Sequence, residues 1–117
     1  MKIKIVTDST ADIPPELIKR LGITVVPLYV CFGKDSYRDR EEINEDDFFQ
    51  RLLHDHTHPT TTQPTPQDFA EAYYKLFSKC EGIISIHISE KLSGTCNSAL
   101  QGKKLLQKEY CREKSMC

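Results

Sequence analysis

Gly82-Ile83-Ile84-Ser85-Ile86-His87-Ile88 is a nearly continuous apolar run, and its composition is that of a strand covered on both faces, as in the interior of a parallel sheet. It is flanked by helical patterns. Upstream, Phe69, Tyr73, Leu76 and Phe77 stand at i, i+4, i+7 and i+8 behind Thr65-Pro66, the cap-and-proline opening of an amphipathic helix. Downstream, Ser89 to Thr95 is polar and leads into a further helix from about Gly94, with Ala99, Leu106 and Tyr110 on one side. A strand between two helices implies crossover connections, so the rest of the chain is searched for the partner strands.

Lys2-Ile3-Lys4-Ile5-Val6-Thr7 ends at the polar cluster Asp8-Ser9-Thr10, as a buried strand feeding a loop does. Prolines 14 and 15 open a short helix whose apolar face is Leu17, Ile18 and Leu21, and Gly22 stops it. Thr24 to Val30 reads as a second strand in which Pro27 marks an edge or bulge, and Gly33-Lys34-Asp35 with Tyr37 beyond reads as a hairpin turn. Asn44 caps a helix running to about His54, with Glu45, Asp46 and Asp47 in its first turn and a stripe of Phe48, Phe49, Leu52 and Leu53. Residues 55–66 hold three prolines and five threonines without periodicity and are expected to be loop. The sum is an α/β layer fold, with helices packed on a parallel sheet.

The chain has 117 residues, enough for one modest core that buries about two thirds of the unfolded surface. Sixteen basic and seventeen acidic residues leave a net charge of −1, which provides no basic field for nucleic acid. The charge is uneven: residues 1–100 are net −4 and residues 101–117 net +3. Seven acids between Asp35 and Asp47 form either a solvated face or an acidic docking surface. The apolar run Ile23–Phe32 is interrupted by Thr24 and Pro27 and is far short of the roughly 20 residues of a membrane span. Five cysteines without C-x-x-C spacing fit neither a disulfide framework nor a zinc knuckle, and point to a reducing cytosol. No signal peptide is expected at the N-terminus.

Ligands of open α/β sheets bind outside the carboxyl ends of the strands. Three hydroxyl-rich loops belong there: Asp8-Ser9-Thr10, Thr60-Thr61-Thr62-Gln63-Pro64-Thr65, and Ser93-Gly94-Thr95. Hydroxyls beside helix N-termini suit a carboxylate or phosphate, although Ser, Thr and Asp are also ordinary caps and turn residues. His54, His56 and His58 flank Asp55 in the Pro/Thr segment, where nothing fixes a metal geometry, so no metal or cofactor is expected. His87 among isoleucines is expected to be a hydrogen-bonded core histidine, and Cys96 to pack rather than react. Asp8 at a strand end also suits an aspartyl nucleophile. A small phosphotransferase or hydrolase using Asp8 or Ser93 is therefore an alternative, as is an interaction module using the acidic segment.

In combination, Thr7-Asp8-Ser9-Thr10-Ala11-Asp12-Ile13-Pro14, Pro59-Thr60-Thr61-Thr62-Gln63-Pro64 and Leu92-Ser93-Gly94-Thr95 resemble the three motifs of the DegV family of bacterial fatty-acid-binding proteins, in order and spacing. The resemblance covers about residues 3–106 and implies the N-terminal α/β domain of that fold over residues 1–106, followed by a basic tail over 107–117. It implies a non-catalytic protein that holds one long-chain fatty acid and presents the carboxylate to a separate fatty acid kinase. The implied grip is by the hydroxyls of Thr61 and Ser93, with Asp8, Ser9, Thr62, Gly94 and Thr95 shaping the head-group pocket. Thr62 stands where the family usually has Ser, Cys96-Asn97 replaces a commoner aromatic-polar pair, and Gly102 stands where a better helix former is usual. Family members are more than twice as long, with a second domain over the acyl chain. A chain with only the head-group half is expected to bind lipid weakly unless it self-associates into a homo-oligomer or meets a partner.

Overall fold

The computed structural model describes residues 2–54 and 58–114. In chain order they form β1 (Ile3–Asp8), a 3-10 turn (Ser9–Ala11), α1 (Pro15–Leu21), β2 (Thr24–Val26), β3 (Tyr29–Phe32), β4 (Asp35–Arg38), α2 (Glu45–His54), β5 (Thr60–Thr62), α3 (Pro66–Phe77), β6 (Gly82–Ile86) and α4 (Thr95–Lys114). β1 is the centre of a parallel sheet ordered β2-β1-β6, so the chain adopts the parallel α/β layer fold read from its sequence. α4 continues past residue 106 to Lys114 without interruption.

The register explains which sheet face is buried. Val6 lies opposite Ser85 and Lys4 opposite Ile83, and side chains alternate along a strand. Val6 and Val26 therefore meet Phe69 and Tyr73 of α3 and Ala99 and Leu106 of α4 in one cluster, with Ile83 packed beside it. The other face of β6 is not covered: Ile84 is 49% and Ile86 56% exposed, which corrects the expectation of a strand buried on both sides. An apolar run shows that a strand is rich in isoleucine, but not that a second layer of helices reaches it. Among the helix faces read from sequence, Leu21 of α1 and Phe77 of α3 also face solvent. Tyr110 lies outside the residues whose side chains are described.

The span read as one strand, Thr24–Val30, divides at Pro27-Leu28. Pro27 has no N–H to give to a ladder, and Leu28 turns its own N–H to Ser9 Oγ at 3.1 Å while its carbonyl accepts from Asp39 N at 2.8 Å. The chain leaves the first sheet there and β3 starts a second one, antiparallel and ordered β4-β3-β5. The β3–β4 hairpin turns at Gly33, whose φ of 63° suits glycine. β5 is a correction: Thr60–Thr62, expected to be loop, pairs with Tyr29–Cys31. Three β-branched residues in a row carry strand preference without any alternation of polarity to reveal it.

This second sheet has its own small cluster of Val30, Phe32 and Ile43, with Tyr37 and Phe48 partly buried on it. Two cores thus replace the single one expected. α2 begins at the predicted cap, Asn44 Oδ1 accepting from Asp47 N at 2.8 Å, but only Phe48 of its apolar stripe packs inward. Phe49, Leu52 and Leu53 are exposed.

Candidate functional site

The carboxyl ends of β1 and β6 meet at a buried, hydrogen-bonded pair of side chains, Asp8 and His87. Asp8 closes β1 with its side chain 1% exposed. One of its oxygens accepts from the backbone N–H of Thr10 at 3.0 Å and from the Thr10 hydroxyl, forming the 3-10 turn. The other lies 2.5 Å from His87 Nδ1, just beyond the end of β6. Burial pushes the Asp8 carboxyl up, but the hydrogen bonds from His87 and Thr10 outweigh it and hold the group below its ordinary value. Asp8 is therefore a carboxylate whose lone pairs are used inside the protein. Next to it, Ser9 is buried with its hydroxyl accepting from Leu28 N. Both residues fix the loop after β1.

At the start of α4, Ser93 Oγ accepts from Thr95 N at 3.2 Å and lies 2.9 Å from Thr95 Oγ1. Thr95 is completely buried, whereas Ser93 is half-buried, so Ser93 is the member of this loop that can face a ligand. α4 is 20 residues long, and its first N–H groups carry the positive end of the helix dipole.

The middle loop reaches this helix through a residue that the sequence reading quoted without assigning a role. Gln63 donates from Nε2 to Ser98 Oγ at 3.3 Å, and a Cβ added to Gly94 would stand 2.3 Å from Gln63 Oε1. Glycine at 94 is thus what lets the amide lie against the start of α4. Thr61 and Thr62 precede Gln63 on β5 and are exposed. Thr61 pairs with Val30 and Thr62 with Tyr29, so the two hydroxyls point to opposite faces of the sheet.

The structure therefore joins the loop after β1 to the end of β6 through Asp8 and His87, and the middle loop to α4 through Gln63. His87 is hydrogen-bonded and its side chain 2% exposed, as the sequence suggested. Its partner Ser85 was missed, although Ser85 and His87 are the two polar positions at i and i+2 of the run and so share one face. Tyr73 donates to Ser85 Oγ at 2.7 Å. Burial raises the Tyr73 phenol above its ordinary value, with the Ser85 hydrogen bond opposing and Cys96 adding to the rise.

Beside this chain of groups runs an open groove of about 530 Å³ between α3, β6 and α4, from Cys96 and His87 past Phe77, Ile83 and Leu100 to Gln107. Among the described residues no three His, Cys, Asp or Glu side chains cluster as metal ligands, and no helix is long and apolar enough to cross a membrane. His54 ends α2 and His58 is exposed; Asp55 and His56 lie outside the described residues. Cys31, Cys80 and Cys96 are free thiols.

Comparison with known proteins gives a consistent result. The model of a family described as "Uncharacterised protein, DegV family" matches residues 2–113. A DegV domain-containing protein of Halalkalibacterium halodurans is 44% identical over 107 residues, which are 91% of this chain and 38% of the relative. A solved DegV family protein from Thermus thermophilus, described for its fatty acid binding, superposes with a TM-score of 0.79 at 46% identity, over 89% of this chain and 37% of that one. A stearic-acid-binding protein from Eubacterium ventriosum superposes with a TM-score of 0.86 at 32% identity, over 92% and 38% of the two chains. The chain thus spans about 38% of the length of the relatives it matches.

Proposed function

The chain belongs to the DegV family, and on that premise we propose that it supplies the head-group side of a long-chain fatty-acid site and is not itself a catalyst. The observation that carries this reading is Ser93: a half-buried hydroxyl at the start of α4, beside the Gly94 against which the middle loop lays Gln63, and six residues beyond the His87 that ties down the loop after β1. A carboxylate there would accept from Ser93 and from the first N–H groups of the helix. Thr61 would donate from β5. Asp8, Ser9 and Thr95 are too enclosed to touch the ligand and would act by shaping the loops, while Gly94 and Thr62 border it.

The burial of Asp8 and the use of both its oxygens argue against a phosphoryl-accepting aspartate, which needs an open approach for its nucleophilic oxygen. Presentation of the bound carboxylate to a separate fatty acid kinase is the role we assign, on the likeness of the three motifs.

The acyl chain sets the affinity. At about 0.8 kcal/mol per buried methylene, sixteen carbons supply on the order of 12 kcal/mol when fully enclosed, and losing half the enclosure forfeits about 6 kcal/mol, or about four powers of ten. Titration calorimetry with palmitate tests this. A monomer of this chain should bind weakly, and Ser93→Ala and Thr61→Ala should each lower the affinity by roughly tenfold to a hundredfold. Submicromolar binding by a proven monomer would count against a half-site, and unchanged affinity in both variants would mean that the carboxylate is gripped elsewhere.

A further inference from the structure

The wall of the groove and the loop after β1 share one hydrogen-bond chain. Tyr73 OH lies 2.7 Å from Ser85 Oγ, Ser85 Oγ lies 2.6 Å from His87 Nε2, and His87 Nδ1 lies 2.5 Å from Asp8 Oδ2. The proton inventory gives a direction that satisfies every member. Asp8, as a carboxylate, only accepts, so His87 Nδ1 carries the proton between them. Ser85 accepts from Tyr73, and giving its own proton to His87 Nε2 completes the chain. With the proton on Nδ1 and Nε2 accepting, all four groups are satisfied at once. The Phe69 ring stands against the imidazole with centroids 5.0 Å apart and planes 80° to each other, which keeps the ring from turning over.

We propose that His87 is a positioning residue for the head-group site. It ties Asp8, and through Asp8 the Thr10 N–H and hydroxyl, to the end of β6, the strand from which the chain enters Ser93-Gly94-Thr95. The first and third hydroxyl loops are thereby held at one spacing, although 79 residues separate the two partners in sequence. This rests on the reading of those loops as a carboxylate site. The order Ser–His–Asp is also that of acyl-transfer nucleophiles, but Ser85 lies within β6 with its hydroxyl engaged on both sides, and its part here is to hold the imidazole.

Four measurements on the full chain test the assignment. In a nitrogen-15 spectrum of the histidines, His87 should show a protonated Nδ1 and a bare Nε2; the opposite tautomer overturns the proposal. Amide exchange at Thr10 should be at least tenfold faster in His87→Gln, whose amide extends past Asp8, and close to wild type in His87→Asn, whose amide can replace Nδ1–H. Equal effects of the two variants would reduce His87 to general packing and overturn it. If neither variant folds, the wild-type tautomer still decides. Palmitate affinity should follow the Thr10 protection, falling at least tenfold in His87→Gln and within about threefold in His87→Asn. Should wild type bind no palmitate while the tautomer and Thr10 results hold, the fatty-acid reading fails and the positioning role stands. Labelling of Ser85 by a fluorophosphonate would overturn it by showing a nucleophile.

Discussion

Val6, Val26, Phe69, Tyr73, Ala99 and Leu106 hold two helices, α3 and α4, on the parallel sheet, whereas the antiparallel sheet rests on Val30, Phe32 and Ile43, with α2 leaving Phe49, Leu52 and Leu53 in solvent. The candidate residues divide along the same line. Asp8, Ser9 and Thr95 are buried and bonded in the first region, while Thr61 and Thr62 are exposed on an edge strand of the second. One side of the site is a preformed support. The other is a strand carried by a small core, where local opening costs least.

The contrast breaks most readily at the cores. Phe69→Ala should cost about 3–5 kcal/mol, the usual loss for a fully enclosed phenylalanine, and should abolish protection throughout the parallel layer. Phe32→Ala should cost less, because its surroundings include the partly exposed Phe48 and Arg51 and can collapse onto the space. Urea denaturation of the two variants compares them directly. Equal losses would make the two clusters one cooperative core and remove the distinction.

The contact between α3 and α4 sharpens it. Gly102 is buried, and a Cβ there would stand 2.6 Å from Phe69 Cβ and 2.7 Å from the Pro66 carbonyl. In an exposed helix Gly→Ala gains up to about 1 kcal/mol, but Gly102→Ala should instead cost about 1–3 kcal/mol by forcing the helices apart. Thermal unfolding reads the sign. A higher melting temperature would show that the layer is looser than the packing implies.

The same glycine shows what the sequence could tell and what it could not. Its departure from the family pattern was visible, but the reason, the backbone of α3 and the Phe69 Cβ pressed against it, exists only in three dimensions. Periodicity identified α3 because Phe69 and Tyr73 face a real core, whereas the apolar run of β6 identified a strand whose Ile84 and Ile86 face solvent. It failed at Thr60–Thr62, whose strand is defined by pairing with β3 and not by burial, and at Pro27-Leu28, where the choice of sheet is made by a hydrogen bond to Ser9. For the site, the hydroxyl loops were legible as motifs. Gln63 and Ser85 were not, since their significance depends on neighbours 35 and 12 residues away, Ser98 and Tyr73.

Acid titration probes the preformed side alone. The Asp8 carboxyl is held below its ordinary value, so its contribution to stability is complete above about pH 4 and is lost only as the pH falls through the lowered value. Asp8→Asn should remove that acid-dependent part while leaving the carboxylates of the second region to titrate as before. Denaturation midpoints between pH 2 and 5 should therefore converge for wild type and variant at the acid end. Parallel curves over this range would mean that Asp8 titrates as an ordinary surface acid.

The smallest effect is expected where the two regions are joined. Tyr29 of β3 donates to Asp68 Oδ2 at 3.1 Å, the same carboxylate that accepts from Thr65 N at 2.9 Å to cap α3, and Arg38 of β4 stands 3.6 Å from its other oxygen. Tyr29→Phe removes one of these contacts and leaves Asp68 its cap and its guanidinium, so it should cost about 0.5–1.5 kcal/mol. Burial and then the Asp68 hydrogen bond raise the Tyr29 phenol above its ordinary value, so this contribution is full below about pH 10 and is lost as the pH rises beyond it. If the joint governs how β5 presents Thr61, amide exchange in β3 and β5 should quicken in Tyr29→Phe while α3 and β1 keep their protection. Uniform quickening across both sheets would show that the tyrosine supports the whole fold, and that the second region has no independence to adjust around a ligand.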